Sequence, residues 1–459
     1  MHQDTNMKEI INRQRDFFNS NATKEISFRK AQLKKLKKIL KEHESELDQA
    51  IYRDFKKSSF DNYVSELSIL YHDIDEAIKN VKGWAKKRSV KTNLLNMPAS
   101  SYIIPEPLGV TLVIGAWNYP FQLSIAPAIA SIAAGNTVIL KPSELPVHTS
   151  NIMAKLINEN FDPEFFTVVE GGVKETQELL SQKFDKIFFT GSSYVGKIVY
   201  QAAAKNLTPV TLELGGKSPA FFTEKCDMKI GIKRMIWAKF LNAGQTCVAP
   251  DYILVHSSRK EEFLKLAKEE IENSHFNVDN DNYVQIINEG NMNRLIGMME
   301  GAEIYSGGNY NIAERYFEPT LLTDVSFDDN VMQNEIFGPI LPVIEYDDID
   351  KVIAEVKKRP KPLSLYIFSK ERNIINKILR EVSFGGGAVN DAVMHLTNTY
   401  MGFGGVGDSG MGSYHGVHGF NTFSHFKSIL DRSTLLEPNL KYYPHTRNKL
   451  KLIKMILGQ

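Results

Sequence analysis

Cysteine is nearly absent from this 459-residue chain: only Cys226 and Cys247 occur, with no CxxC pair and no Cys/His spacing suited to zinc. That excludes a disulfide framework, gives no reason to expect a metal, and makes a reducing cytoplasm the expected compartment. A dominant charge is also missing. The 55 Lys and Arg almost cancel the 54 Asp and Glu, so no global field favours nucleic acid or an anionic membrane as the main partner. No run of about 18 apolar residues occurs that could cross a bilayer, and Met1–Asn12 is polar, without the apolar core of a signal peptide. Internal repeats, low-complexity tracts and Pro/Ser-rich linkers are lacking too. What remains is a chain long enough for several domains, with a small molecule as its expected partner.

From Met7 to about Lys87 the chain is highly charged, with apolar residues at helical spacing (Leu33, Leu36, Ile39, Leu40), which predicts amphipathic helices. After Pro105-Glu106-Pro107 the character changes. Gly109–Gly115 reads as a buried strand, and strand-like runs (137–141, 165–170, 186–190) then alternate with helix-like ones (150–160, 175–182), which argues for a parallel α/β sheet. The pattern resumes after Glu213 with strands at 252–256, 341–346 and 363–369, so a second α/β domain is expected, with a border near residue 212. Gly402–Gly419 is a glycine-rich loop. Near the end, Lys449, Lys451 and Lys454 interleave with Leu450, Leu452, Ile453, Ile456 and Leu457 as a short basic amphipathic stretch. It is expected to be a helix docked on the body of the protein, with peripheral membrane contact as the alternative.

Several segments carry residues that suit chemistry. Cys247, in Gly244-Gln245-Thr246-Cys247, would be a nucleophile as its thiolate, although a single cysteine is more often an inert buried residue. Glu213, in Glu213-Leu214-Gly215-Gly216-Lys217, ends a strand among apolar residues; such a carboxylate has a raised pKa suited to a general base, and otherwise is a solvated strand-end acid. Asn118, in Trp117-Asn118-Tyr119-Pro120, follows the first buried strand and could aim an amide N–H at an oxyanion, or could be a simple turn residue. Thr190-Gly191-Ser192 with Gly196 is a strand, a turn and a helix start, where free N–H groups suit a pyrophosphate; the spacing is GxxxxG, not the GxGxxG fingerprint. Lys141 and Glu144, in Lys141-Pro142-Ser143-Glu144, could hold ribose hydroxyls at a strand end. In Glu335-Ile336-Phe337-Gly338-Pro339, Glu335 could bind a second ribose and Phe337 could pack beside nicotinamide; the plain alternative is an anchored loop.

In this order these blocks resemble the aldehyde dehydrogenase superfamily over nearly the whole chain. Asn390-Asp391, the Phe403–Gly412 segment and Thr422-Phe423-Ser424-His425 point within it to the class 3, fatty-aldehyde-dehydrogenase-like group. The resemblance implies Cys247 as nucleophile, Glu213 as general base and Asn118 as oxyanion donor. It also implies cofactor contacts from Trp117, Lys141, Glu144, Gly191, Ser192, Gly196, Leu214, Glu335 and Phe337. The reaction implied is NAD(P)-dependent oxidation of an aldehyde to a carboxylic acid through a thiohemiacetal and a thioester. Long-chain, apolar or aromatic aldehydes are the expected substrates, fatty or carotenoid-type ones among them. NAD is favoured because Glu144 would repel a 2′-phosphate, with NADP also open. The implied α/β architecture has three parts: a Rossmann-like cofactor domain (1–92 and 106–212), an α/β catalytic domain (213–418) and a small β arm (93–105 and 419–431) pairing two subunits. A tail (432–459) follows.

Three other readings compete. Gly407-Asp408-Ser409-Gly410 matches the loop around a serine-protease nucleophile, although that fold is β-rich and usually disulfide-bonded. A coenzyme A-acylating enzyme would pass the thioester to a thiol, which leaves a base such as Glu213 idle. A non-enzymatic scaffold would keep all these residues unused.

Overall fold

The computed structural model describes residues 7–458; the part of the polar N-terminal stretch up to Asn6, and Gln459, lie outside the described residues. The charged N-terminal region forms helices, among them Met7–Asn19, Ile26–Glu42, Glu44–Phe55 and Ser68–Trp84. Their periodic apolar residues, such as Leu33, Leu36 and Leu40, are buried.

Two mainly parallel sheets follow. The first has six strands in the spatial order Gly410–Met411, Val210–Glu213, Lys186–Thr190, Val110–Ile114, Thr137–Lys141, Phe166–Val168. Numbering the five parallel strands along the chain from Val110 gives the order 3-2-1-4-5 of a Rossmann-like half. The strand order reverses between Val110–Ile114 and Lys186–Thr190, and ligands of such sheets bind beyond the carboxyl ends of the strands at that reversal. Nearly every residue of these strands is buried, as expected of a sheet covered by helices on both faces. Gly410–Met411 returns from the glycine-rich segment and pairs antiparallel with Val210–Glu213, so the strand that ends in Glu213 has no free edge.

The second sheet has seven strands, in the order Glu303–Ser306, Thr320–Thr323, Ile340–Tyr346, Tyr252–His256, Pro219–Phe222, Ser364–Phe368, Gly386–Val389. All of its pairs are parallel except that of Glu303–Ser306 with Thr320–Thr323. Residue 212, near which a border is expected, lies in the last parallel strand of the first sheet, and both sheets belong to one compact unit.

Residues through Trp84 together with Pro107–Ser424 form one compact unit, and Ala85–Glu106 with His425 onward form another. The second unit carries a three-stranded sheet of Arg88–Val90, Ala99–Pro107 and Ser424–Arg432. Strands expected near 93–105 and 419–431 thus begin later than the sequence suggests, because 94–96 is a 3-10 turn and 416–422 a helix, and Arg88–Val90 adds a third. The basic C-terminal stretch is the helix Arg447–Ile456, none of whose residues is buried. No helix among the described residues is long and apolar enough to cross a membrane.

Candidate active site

Cys247 follows the helix Met228–Phe240 through a loop wound against the chirality of its residues. Asn242, Ala243 and Gly244 have φ of 55°, 52° and 73°. Left-handed backbone costs roughly 1–3 kcal/mol at each non-glycine position, so surrounding bonds must hold it. Asn242 Nδ2 donates to the carbonyl oxygens of Asn118 (2.9 Å) and Gln245 (3.1 Å). Gln245 Nε2 donates to the carbonyls of Asn242 and Gln285, both at 3.1 Å, and its Oε1 accepts from Ile287 N at 3.0 Å. A Cβ on Gly244 would lie 2.3 Å from the Gly338 carbonyl oxygen, so no larger residue fits.

Asn118 arrives from the carboxyl end of Val110–Ile114. It is buried, and its Nδ2 donates to the Gln245 carbonyl at 3.0 Å, which fixes the amide beside the cysteine loop and leaves a second N–H for another acceptor. Next to it, the Tyr119 hydroxyl lies 2.7 Å from Thr246 Oγ1. The two segments that sequence reasoning linked only by resemblance are therefore directly bonded, at the two residues that precede Cys247.

Glu213 ends its strand only 2% exposed, and neither carboxylate oxygen has a hydrogen-bond partner. Burial alone holds its pKa well above the ordinary carboxylate range. Cys247 is half-buried, and burial, reinforced by the nearby Glu335 and Glu213 carboxylates, pushes its thiol up to about 12. The backbone N–H groups of Cys247 and Val248 oppose that shift. The raised basicity of Glu213 favours its taking a proton from the thiol, whereas the raised pKa of the Cys247 thiol opposes its release.

Around the same carboxyl ends lies a second cluster. Lys141 is 1% exposed at the end of Thr137–Lys141; its Nζ donates to the Pro142 carbonyl at 2.6 Å and lies 3.8 Å from Glu144 Oε2, and burial lowers its pKa. Lys141 stands three strands from Glu213, about 14 Å at ordinary strand spacing, a separation that suits the two ends of one elongated ligand. Between them, Ser192 caps the helix Ser193–Ala204 by accepting from Val195 N at 3.3 Å, Gly191 stands in the turn before it, and Gly196 is buried one turn on, against Leu214. Glu335 packs on the backbone of Gly215, where an added Cβ would lie 2.1 Å from Oε2. Its pKa is pushed up to about 8, first by burial and then by Asp251. The Trp117 and Phe337 rings meet edge to face at 5.2 Å. A helix N-terminus at the strand-order reversal, a buried cation with a carboxylate partner, and a side-chain-free floor at Gly215 together fit an elongated dinucleotide.

Several residues here escaped sequence reasoning. Arg294 donates to the Ile336 carbonyl at 2.7 Å and shapes the loop of Glu335 and Phe337; no local motif marks it. Lys217 donates to the carbonyls of Val331 (2.9 Å) and Asn334 (2.8 Å) and pairs with Asp251, whose other oxygen accepts from Ile336 N at 2.9 Å. Its place directly after Gly215-Gly216 was the available signal. Tyr414, buried and within electrostatic reach of Glu213 and Cys247, shares a hydrogen bond with Gln122. Ser409, by contrast, is fully buried, accepting from Val406 N (2.9 Å) and donating to Val406 O (3.0 Å). It shapes a turn, and the protease reading falls.

A groove of about 1090 Å³ opens between the start of the short helix Ser59–Asn62 and the helices Met228–Phe240 and Lys260–Ser274. Phe60, Ile230, Trp237 and Phe276 line it, with Lys233 and Arg234.

Comparison with known proteins agrees with this geometry. The family described as "Aldehyde dehydrogenase family" matches residues 2–429. A 4,4'-diaponeurosporen-aldehyde dehydrogenase from Staphylococcus aureus is 49% identical over 95% of this chain and 96% of its own. Aldehyde dehydrogenase family 3 member A2 of Macaca fascicularis is 44% identical over 98% and 94%. The solved structure titled as a substrate-bound state of Staphylococcus aureus AldH superposes with a TM-score of 0.96 at 46% identity, covering 98% and 99%.

Proposed function

The chain belongs to the aldehyde dehydrogenase family, and on that premise we propose that it oxidises an apolar aldehyde to the carboxylic acid at Cys247, with NAD(P) as hydride acceptor. The observation that carries this reading is the pairing of Glu213, a buried carboxylate with no partner, with a cysteine loop bonded directly to Asn118.

Glu213 takes the thiol proton as the sulfur adds to the carbonyl carbon. Asn118 Nδ2 and the Cys247 backbone N–H hold the resulting oxyanion. Bound NAD(P) supplies the hydride acceptor, so that loss of hydride from the same carbon leaves a thioester on Cys247. After releasing its first proton, Glu213 takes one from water; the hydroxide adds to the thioester carbon, the thiolate leaves, and the acid departs. Lys141, Glu144, Gly191, Ser192, Gly196 and Leu214 would hold the adenosine and pyrophosphate side of the cofactor, and Trp117, Glu335 and Phe337 the nicotinamide side. A base kept for water makes hydrolysis, not transfer to coenzyme A, the outcome.

The carotenoid-derived aldehyde in the name of the staphylococcal relative supports a long apolar substrate, fatty or carotenoid-type. The nearby carboxylate of Glu144 supports NAD over NADP. We take residues 1–92 and 106–212 as the cofactor domain, 213–418 as the catalytic domain, and the arm near 93–105 and 419–431, which carries two of the three strands of the small sheet, as the surface that pairs two subunits. The enzyme works in the cytoplasm, and the exposed basic helix Arg447–Ile456 gives it peripheral membrane contact. The test is Cys247→Ser assayed with hexanal, decanal, benzaldehyde and a polyene aldehyde, each with NAD and NADP. Cofactor binding is retained and reduced cofactor no longer forms; wild-type protein silent against the whole panel would sink the reading.

A further inference from the structure

Helix Pro120–Ala134 begins immediately after Asn118 and Tyr119, yet its N-cap position, Tyr119, makes no side-chain capping bond. The free amides of its first turn are satisfied from 55 residues away. Glu66 Oε2 accepts from Phe121 N at 2.8 Å and from Gln122 N at 3.2 Å. Its other oxygen, Oε1, accepts from Lys57 Nζ at 2.9 Å, with the two side chains 0% and 1% exposed. Glu66 stands in a π-helical turn, Tyr63–Leu67, between two α-helical segments. Such widened turns shift the phase of a helix face, and here the shifted carboxylate lies against the neighbouring helix start. The positive end of that helix favours a carboxylate there.

The pair also reaches the reacting segment. Lys57 Nζ lies 4.5 Å from the centre of the Tyr119 ring, whose hydroxyl is bonded to Thr246, the residue before Cys247. Asn118, one residue earlier, is bonded to Gln245. Burying a complete ion pair is an expensive way to stabilise a fold, since apolar side chains of similar volume do so as well or better. A Ser or Asp at position 119 would cap the helix more simply. Neither would hold the 118–119 backbone and the tyrosine ring at once.

We propose that Lys57 and Glu66 are positioning residues that set the orientation of the oxyanion-binding amide of Asn118 and, through Tyr119 and Thr246, the backbone at Cys247. This rests on the reading of Asn118 as oxyanion donor. Glu66→Gln, which keeps an acceptor oxygen, and Lys57→Met, which leaves the helix cap in place, lower kcat about ten- to a hundredfold, the range that a displacement of about 1 Å costs. KM for aldehyde and cofactor affinity change little. In a Tyr119→Phe background the further effect of Glu66→Gln on kcat is smaller than in the wild type by about twofold or more, because the part that runs through Thr246 is already cut while the part that runs through Asn118 remains.

A purely structural pair lowers the melting temperature, leaves kcat per folded molecule at the wild-type value, and shows additive effects with Tyr119→Phe; that result overturns the proposal. If Glu66→Gln fails to fold, Lys57→Met gives the same comparison alone. Asn118→Ala is the separating control: unchanged kcat in that variant refutes the oxyanion assignment itself, whereas loss there with wild-type kcat in Glu66→Gln and Lys57→Met refutes only the positioning role.

Discussion

Replacing Glu213 by Gln should make this protein more stable and much less active, and the stability gain should depend on pH. Glu213 is 2% exposed with both oxygens unpartnered, and burial raises its pKa well above the ordinary 4.5. The folded state therefore binds its proton more tightly than the unfolded chain. Stability linked to that proton is fully present below the unfolded-state pKa and is lost as pH rises through the folded-state pKa. At pH 8 the wild type is held back by a buried, unsatisfied carboxylate, a cost of about 1–3 kcal/mol that a neutral amide of the same shape largely removes. With about 2.1 cal/mol/K of unfolding entropy per residue, a chain of 459 residues shifts by roughly 1 °C per kcal/mol, so the gain is about 1–3 °C. Scanning calorimetry of cofactor-free protein at pH 8 and pH 5 measures it; the gain shrinks at the lower pH. Steady-state assays at pH 8 show kcat down by about 10²–10⁴ through loss of the base. Glu213→Gln less stable than wild type at pH 8, or a gain of equal size at both pH values, would refute the reasoning.

Other consequences follow from single contacts. Gly215→Ala puts a methyl group where the Glu335 carboxylate lies, so cofactor affinity measured by fluorescence titration falls at least tenfold while Asn118 and Cys247 stay in place; unchanged affinity would mean that Glu335 has no part in binding. Ser409→Ala keeps most of its aldehyde oxidation and loses about 1–2 kcal/mol of stability in urea unfolding, because the Val406 N–H is left without its acceptor. Abolished turnover in folded Ser409→Ala would contradict its assignment to a turn. Glu144→Gln removes the charge facing a 2′-phosphate and narrows the preference for NAD over NADP in initial-rate assays; an unaltered kcat/KM ratio would show that Glu144 does not face the ribose.

Much of the candidate site was legible along the chain. Cys247, Glu213, Asn118 and the segments at 190–196 and 335–337 each sit in a short run whose residue types suit one task. The alternation of apolar runs predicted the parallel sheets, because a strand covered on both faces must be apolar along its length. Arg294 was not legible, since it acts on carbonyl groups more than forty residues away and no residue near it in sequence signals that. Ser409 was ambiguous for a related reason. Its tetrapeptide looks like a nucleophile loop, and only its burial shows that the hydroxyl is spent within its own turn.

Sequence by itself determined which residues can act, because a thiol, an amide and a carboxylate are fixed by side-chain chemistry, and it determined the layered α/β architecture, because hydrophobic periodicity is local. The tertiary structure alone decided in what state they act. The raised pKa of Glu213 comes from atoms packed around it, the strained left-handed turn before Cys247 survives through bonds to distant segments, and the helix start behind Asn118 is capped by a carboxylate 55 residues earlier in the chain that is itself ion-paired. Desolvation, strain and long-range bonding depend on which segments meet in space, and a linear pattern carries no record of that.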